Sequence, residues 1–308
     1  MTRDQTIPRT LIAGHVTHDR YEGGFVAGGC ALYGAAVHNR LAGPTQLATV
    51  VGDDFRCGDA IADVDAVIER RGTTTVFANY YPPDSARVQL LESRAPSVMP
   101  QRVDEHWLNA DLVHLAPVCG EIDLQQWLDA VGDGLVAINI QGWLKHPGSP
   151  VDPADLEQLQ RRGVSKPAPR VVEKPWDVRR EALQRIDIAC LSEEDLIYQD
   201  DLLERLVETV PIVALTRGKK GSRIFVDGVP TDVGIVPADV VDPTGAGDVF
   251  AAAFCHFVTA GTDPVEAARM GAAASSIVIE DTGPAALDRL SELDERRRRL
   301  SPQPASVS

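Results

Sequence analysis

An α/β fold built as one large domain is what this sequence predicts, and three observations carry the prediction. Short apolar segments of strand character alternate along the chain with segments of helix character. The chain has 308 residues, enough for one large α/β domain with room for a smaller appendage but hardly for two full domains. Towards the C-terminal end, Val241-Asp242-Pro243-Thr244-Gly245-Ala246-Gly247-Asp248-Val249-Phe250 runs from a glycine-rich turn into the small-residue segment Ala251-Ala252-Ala253-Phe254. Pro243 sets the turn, and Gly245-Ala246-Gly247 leaves backbone N–H groups uncovered where a helix begins, which is a way to hold an anion. Asp248 places a carboxylate beside that hole. It would repel a phosphate at rest, so its role is to take the proton of a hydroxyl that attacks the phosphate. The plainer alternative is a glycine-rich turn with a capping aspartate.

Bulk composition narrows the partners. Hydrophobic residues make up 44% and charged residues 24%, close to the globular average, so the chain should bury a core. A formal net charge of -15 argues against nucleic acid and against an anionic membrane surface, both of which need clustered Lys and Arg. A small anion such as ATP is compatible with it, because a nest of N–H groups plus a metal holds phosphates locally. The five cysteines (Cys30, Cys57, Cys119, Cys190, Cys255) are scattered and odd in number, which reads as reduced thiols in a cytoplasmic protein. The segment Met1 to Pro8 lacks a hydrophobic core region, and no apolar run approaches the roughly 18 residues of a membrane span, so neither a signal peptide nor a span is expected.

In chain order, Thr10 to Gly14 is a buried strand, and His15 to Asp19 follows at its carboxyl end, the edge where open α/β sheets bind ligands. Asp19 is there either as a hydroxyl-binding residue or as a solvated loop acid. Tyr21 to Val26 reads as a short strand entering the paired Gly28 and Gly29, which either admit a substrate close to the backbone or make a tight turn. Cys30 to Leu41 is a helix rich in small residues, and Gln46 to Gly52 a strand followed by a helix from about Phe55 to Arg70. Thr74 to Tyr81 and Ala86 to Glu92 make a hairpin across Pro82-Pro83-Asp84-Ser85. With the strand near Tyr21 it forms a small sheet standing off the main one, a lid covering about 19–28 and 74–92.

Alternation then resumes. Asp111 to Leu115 is a strand, Asp123 to Val131 a helix, and Leu135 to Ile140 a strand that delivers Gln141 to its end. Six prolines between 142 and 176 mark an irregular excursion around a short helix near 153–161. Ile186 to Leu191 leads into Ser192-Glu193-Glu194-Asp195, an N-cap with an acidic first turn. Pro211 to Thr216 is a strand, Arg217-Gly218-Lys219-Lys220-Gly221 a basic glycine loop, and Ser222 to Val236 an edge hairpin turning at Asp227-Gly228. Two helices follow the anion-hole motif, from about Gly247 to Ala260 and from Pro264 to Ile279, with Ala and Gly on most faces, as if to take a flat ring. The stretch from about 295 to 308, containing Arg296 to Arg299, reads as a helix end and a flexible tail rather than a specific basic patch.

These pieces resemble the PfkB, or ribokinase-like, carbohydrate kinase family from Thr10 to about Leu287. Asp242-Pro243-Thr244-Gly245-Ala246-Gly247-Asp248 is similar to its C-terminal signature, and Gly28-Gly29 with Val51-Gly52-Asp53-Asp54 to its N-terminal one. Where many members place a substrate-binding Asn, this chain has Tyr33. The resemblance implies one ribokinase-like domain over 1–308, a three-layer α/β/α architecture with a mostly parallel central sheet and a small β lid. It implies transfer of the γ-phosphate of ATP to an alcohol, with Mg²⁺ needed and a monovalent cation as a further candidate. Asp248 is then the catalytic base, and Gly245, Ala246 and Gly247 the anion hole. Thr216, Gly218 and Gly221, together with Asp242 and Thr244, serve the nucleotide, while Asp195 takes the place of a family acid near the magnesium waters.

Four local segments resemble plant-type and archaeal myo-inositol kinases: Gly14 to Asp19, Asp54-Phe55-Arg56, Ile138 to Gly142, and Thr282-Gly283-Pro284. A cyclitol offers only hydroxyls, to be read by Asp19, Gly28, Gly29, Tyr33, Asn79, Arg87, Asn139 and Gln141, although Arg87 also reads as a surface lid residue. Lys145 and His146 would instead suit an anionic sugar. The rival within the class is a ribokinase-like or nucleoside kinase, with Phe25, Tyr33 and Phe77 as a slot for a base. A non-catalytic nucleotide or sugar sensor is the alternative outside it. The expected partner is a small polyol or sugar, with no nucleic acid and no membrane, and the exposed edges of the lid offer a surface for a homodimer.

Overall fold

The computed structural model describes residues 7–21, 24–80, 88–150, 168–197 and 199–300. Its strands are β1 (Thr10–Ala13), β2 (Thr17–Tyr21), β3 (Gly24–Gly28), β4 (Thr45–Val51), β5 (Asp65–Arg70), β6 (Thr75–Tyr80), β7 (Val88–Ser93) and β8 (Leu112–Leu115). They continue as β9 (Leu135–Asn139), β10 (Lys145–Pro150), β11 (Pro169–Glu173), β12 (Ile188–Ser192), β13 (Ile212–Thr216), β14 (Ser222–Val226) and β15 (Val229–Val233). The longer helices are α1 (Cys30–Arg40), α2 (Leu124–Ala130), α3 (Ala246–Thr259) and α4 (Pro264–Val278).

The main sheet runs β15-β14-β13-β12-β9-β8-β1-β4-β5. Neighbours from β13 to β5 pair in parallel, and only β14 and β15 run antiparallel, as the hairpin at Asp227-Gly228 leads one to expect. A parallel sheet needs apolar residues on both faces, and these strands have them at alternate positions. Leu11, Val113, Leu115, Val136 and Ile138 pack with Trp127 and Leu128 of α2 on one side. Leu112, Ala137, Ile188, Cys190 and Ala214 pack with Phe250 and Phe254 of α3 on the other. The result is the three-layer α/β/α arrangement the sequence predicts. The small-residue faces of α3 and α4 serve mainly to bring helices together: Ala252, Ala253, Ala273 and Ala274 share one buried cluster with Ala36 and Val37 of α1. The ring that lies among them is Tyr33 of α1.

The second sheet is larger than the expected lid. Six strands pair in the order β10-β11-β7-β6-β2-β3, so the proline-rich excursion contributes β10 and β11. Pro147, Pro150 and Pro169 obscure that pair in the sequence, but β10 is an edge strand and its register shifts between Pro147 and Pro150, both settings in which proline costs no ladder bond. The β6–β7 hairpin forms as expected. Asp19, expected on a loop, sits within β2. The expected helices and loops fail elsewhere too. In place of a helix from Phe55 to Arg70 there is a 3₁₀ turn over Gly58–Ile61 and then β5, in parallel register with β4. The helix expected near 153–161 and the turn at 82–85 lie outside the described residues. Leu293–Arg297 is helical, and Arg296 is buried between Glu280 (2.7 Å) and Glu292 (2.9 Å), so the described part of the C-terminal stretch, up to 300, is pinned to the body of the fold. Residues 301–308 lie outside the described residues.

Among the described residues five histidines are buried: His15, His18, His38, His114 and His256. His114 Nε2 lies 2.9 Å from Asn139 Oδ1, while His38 and His256 approach at 3.4 Å through their Nδ1 atoms. Burial lowers His114 and His256 to about 4, and lowers His15 and His38 as well. With folded values below the unfolded value near 6.5, the neutral rings stabilise the protein fully above about pH 6.5, and that stabilisation is lost as pH falls through about 4. Urea unfolding between pH 7 and pH 4 should therefore show stability falling by about 1.4 kcal/mol per pH unit for each proton taken up. A flat profile down to pH 4.5 would contradict the neutral assignment.

Candidate active site

The carboxyl ends of β1, β9, β12 and β13 open on one side of the main sheet, and the second sheet stands over them. Between the two lies a cavity of about 370 Å³, with a smaller one of about 70 Å³ adjoining it. Residues of α3 form its floor. Gly245 caps α3 in the left-handed region (φ 81°), and Asp248 stands in the first turn, where the positive end of the helix favours a carboxylate. A Cβ on Gly245 would lie 2.7 Å from the Tyr33 ring, so both its conformation and its space demand glycine. Asp242 accepts a hydrogen bond from the Thr244 N–H at 2.9 Å, which sets the turn.

No acceptor among the described residues takes the N–H of Gly245 or of Gly247, whereas Ala246 donates to Pro243 O at 3.3 Å. Of the three residues expected to form an anion hole, Gly245 and Gly247 therefore keep open N–H groups at the start of α3, and Ala246 does not. Asp248 is partly buried. Burial pushes its carboxyl above the usual range, offset by a hydrogen bond from the Cys30 thiol and by the charge of Lys145, while Asp195 adds to the rise. A carboxylate of raised pKa next to open N–H donors can accept a hydroxyl proton close to where a phosphoryl group would rest.

Most of the sequence-predicted residues converge here. Asp19, Gly29, Tyr33, Asn79 and Gln141 line the larger cavity with Thr216, Gly218, Thr244 and the Gly245 to Asp248 run. Asn139 and Asp195 line the smaller one, which also reaches Asp248. Gly28 sits behind the cavity: a Cβ there would meet Asp19 Oδ2 at 2.3 Å, so the glycine makes room for that carboxylate. Thr17 Oγ1 donates to Asp19 Oδ1 at 2.9 Å and holds it. Gly221 closes the Arg217 to Gly221 loop by packing against the Val233 carbonyl, not by facing the cavity. Arg87 lies outside the described residues. Phe77 lines the cavity, but Phe25 stacks on His18 with centroids 4.8 Å apart and is not part of the lining.

Several lining residues carry no signal in the sequence. Gln89 donates to Asn79 Oδ1 at 3.1 Å from its place directly opposite on β7, a position readable only once the hairpin register is known. Cys30 looks like any buried thiol until the fold brings it to Asp248. Lys145, raised in the sequence only for an anionic sugar, is buried at the start of β10 and is the basic side chain of the described cavity lining. Its charge acts on both Asp248 and Asp195.

Magnesium bound with a nucleotide needs only one or two protein carboxylates beside the phosphates and water. No group of three or more candidate metal ligands exists among the described residues. Asp195 is poorly placed to ligate with Oδ2, which accepts from both the N–H (2.7 Å) and the Oγ (2.8 Å) of Ser192. The neighbouring Glu194 is exposed and lines the cavity, so it can supply a carboxylate. Among the described residues no helix is long and apolar enough to cross a membrane.

Residues 150–289, which contain the α3 turn and the Thr216 loop, match the pfkB family of carbohydrate kinases. The matched stretch is a little under half of the chain. A nucleoside kinase of Methanothermobacter thermautotrophicus is 39% identical over 72 residues, a stretch that is 23% of this chain and 23% of that protein. An inositol 3-kinase of Arabidopsis thaliana is 27% identical over 289 residues, covering 89% of this chain and 75% of that protein. The chain thus spans about a quarter of the first of these relatives and three quarters of the second. The fold is that of the ribokinases: Arabidopsis thaliana ribokinase, solved with ribose and ATP, superposes with a TM-score of 0.70 at 21% identity, covering 95% of this chain and 99% of that one. A pyrophosphate-dependent kinase of the same fold, solved with sulfate, superposes with a TM-score of 0.73 at 20% identity, covering 92% and 99%.

In this turn, replacing Gly245 with alanine should lower unfolding stability by about 1–3 kcal/mol, because φ of 81° and the Tyr33 ring both oppose a Cβ. Denaturant melts of Gly245→Ala and of Gly247→Ala, where a Cβ would meet open space, provide the comparison. Equal losses in the two variants would contradict this packing.

Proposed function

We propose that the chain transfers the γ-phosphoryl group of ATP to a hydroxyl of a small polyol or sugar, with myo-inositol as the leading acceptor. The observation that carries the reading is the juxtaposition, in one cavity, of Asp248, the open N–H groups of Gly245 and Gly247, and a set of hydroxyl-reading side chains. In the reaction the acceptor oxygen forms a bond to the γ-phosphorus as the bond to the leaving ADP oxygen breaks. Asp248 takes the acceptor proton, the N–H groups of Gly245 and Gly247 hold the equatorial oxygens, and the Lys145 ammonium offsets their charge. Mg²⁺ on the donor phosphates supplies further neutralisation when bound. Glu194 faces it.

A polyol is favoured over a nucleoside by what the second sheet and β9 provide. Asp19, Asn79, Gln89 and Gln141 offer donors and acceptors suited to a ring of hydroxyls. The aromatic rings in the lining, Tyr33 and Phe77, are only 2% and 5% exposed, which leaves little ring face on which a base could stack. The inositol 3-kinase relative points the same way, while the nucleoside kinase relative supports the second reading. Scattered reduced cysteines are in keeping with a cytoplasmic enzyme.

Donor consumption measured with ATP and with pyrophosphate, against a panel of cyclitols, pentoses, hexoses and nucleosides, tests the reading. The expected result is turnover of ATP with a polyol; turnover with nucleosides alone would transfer the assignment to the second reading. Asp248→Asn should lower kcat by about 10² to 10⁴ while acceptor and nucleotide still bind, as followed by calorimetry. A variant that turns over like the parent protein would remove Asp248 from its role.

A further inference from the structure

Two N–H donors without an acceptor among the described residues meet in the smaller cavity. One is the backbone N–H of Gly247 at the start of α3; the other belongs to the side-chain amide of Asn139 at the end of β9. Asn139 is 6% exposed, and its Oδ1 lies 2.9 Å from His114 Nε2 on the neighbouring strand β8. An amide oxygen only accepts, so the ring donates and carries its proton on Nε2. The second ring nitrogen, Nδ1, is sealed from solvent with no partner among the described residues. Leu112 and Ala137 share this face of the sheet and pack against α3, and the ring of His38 on α1 meets that of His114 edge-on at 5.9 Å. A proton on Nδ1 would be a buried donor without an acceptor, so His114 is held as the neutral Nε2–H tautomer.

With Oδ1 engaged, Nδ2 is the free end of the Asn139 amide. It has no acceptor among the described residues and stays open to the cavity that Asn139 lines. Asn139, expected from the sequence among the residues that read acceptor hydroxyls, borders the smaller cavity and not the larger one, together with Gly247, Asp248, Ser192 and Thr216. At about 70 Å³ this space is well below the roughly 300 Å³ from which whole small-molecule pockets start, so it takes a few waters or the oxygens of a phosphoryl group rather than a polyol ring.

We propose that His114 is a positioning residue: it holds the Asn139 carbonyl oxygen back, so that the amide N–H groups face phosphoryl oxygens beside the Gly247 N–H. The consequence rests on the kinase reading, whereas the contact does not. The two ends of an amide are alike in shape and opposite in polarity. Without His114 the reversed rotamer becomes available, and it sets a carbonyl oxygen against the anion. The neutral ring fixes the orientation without placing a further charge next to Asp248. Asn139 thereby moves from the acceptor side of the reaction to the phosphate side.

The test has two arms, and the first needs no turnover. Nitrogen-15 spectra of the full chain labelled at histidine and asparagine are recorded at about pH 7, with the His114 ring assigned by its loss in His114→Gln and the Asn139 amide by its loss in Asn139→Leu. The parent should show His114 protonated at Nε2, and Asn139→Leu should lose that single tautomer. A parent ring protonated at Nδ1 overturns the contact. The Asn139 amide should shift on addition of ATP and stay in place with myo-inositol; an amide unmoved at ATP saturation, as followed by calorimetry, overturns the phosphate-side assignment. In the second arm, with whichever acceptor turns over, His114→Leu should lower kcat/KM for ATP about tenfold with acceptor KM within about twofold. His114→Gln, whose amide keeps an N–H near the place of Nε2, should restore most of it. The double variant His114→Leu/Asn139→Leu should be no worse than Asn139→Leu alone, since a residue that acts through Asn139 then has nothing left to position. Additive losses, or a His114→Leu variant with the parent kcat/KM, overturn the positioning role. Absence of transfer to every acceptor counts against the kinase reading alone, because the tautomer measurement still decides the contact.

Discussion

One buried carboxylate fixes where the two sheets meet. Glu121 is completely enclosed and accepts three backbone N–H groups, from His15 at 3.0 Å and from Val118 and Cys119 at 2.8 Å each. His15 follows β1 of the main sheet, and its ring reaches Thr75 Oγ1 (2.9 Å) on β6 and the Pro96 carbonyl (2.8 Å) beyond β7. A buried charge is tolerable only with its hydrogen bonds complete, so this junction has essentially one arrangement. The cavity exists because of it: Asp19 on β2, Asn79 on β6 and Lys145 on β10 all hang from the second sheet over the carboxyl ends of the first.

Within that frame, the proposed binding of an anion by an acidic protein would rest on local groups. The net charge of -15 is a property of the surface as a whole, whereas the cavity floor offers backbone N–H dipoles at the start of α3 and one buried ammonium. Desolvation strengthens each of these and raises the Asp248 pKa together with them. The same burial that makes a base more willing to take a proton also keeps the compensating cation close. Lys145 stands one residue beyond the Gln141–Leu144 turn, so one short stretch after β9 brings both Gln141 and Lys145 to the cavity.

The parts legible in the sequence were those whose physics is local. Strands β1, β4, β8, β9, β12 and β13 are short apolar runs with turn residues behind them, and the α3 turn declares itself through Pro243, Gly245 and Asp248 in seven positions. What the sequence conceals is set by distant pairing. Asp65 to Arg70 has charged ends around apolar residues, which fits a helix face as well as a strand, and only the ladder to β4 decides it. Prolines 147, 150 and 169 look like loop markers because edge position and bulge cannot be read from one strand alone. The same limit explains Cys30: its place in the cavity with Asp248 joins residues more than two hundred positions apart. Tyr33 could be located as a departure from the family pattern, but that it backs Gly245 follows only from how closely α1 and α3 approach.

Phosphorus-31 spectroscopy of the protein with MgATP and myo-inositol bears most directly on the central claim. If Asp248 and the α3 turn transfer a phosphoryl group to a hydroxyl, one phosphomonoester resonance should grow as the γ-phosphate signal of ATP declines in equal amount, and ADP should accumulate with it. Loss of the γ-phosphate to inorganic phosphate alone, with no ester from myo-inositol or any other polyol, would contradict the account.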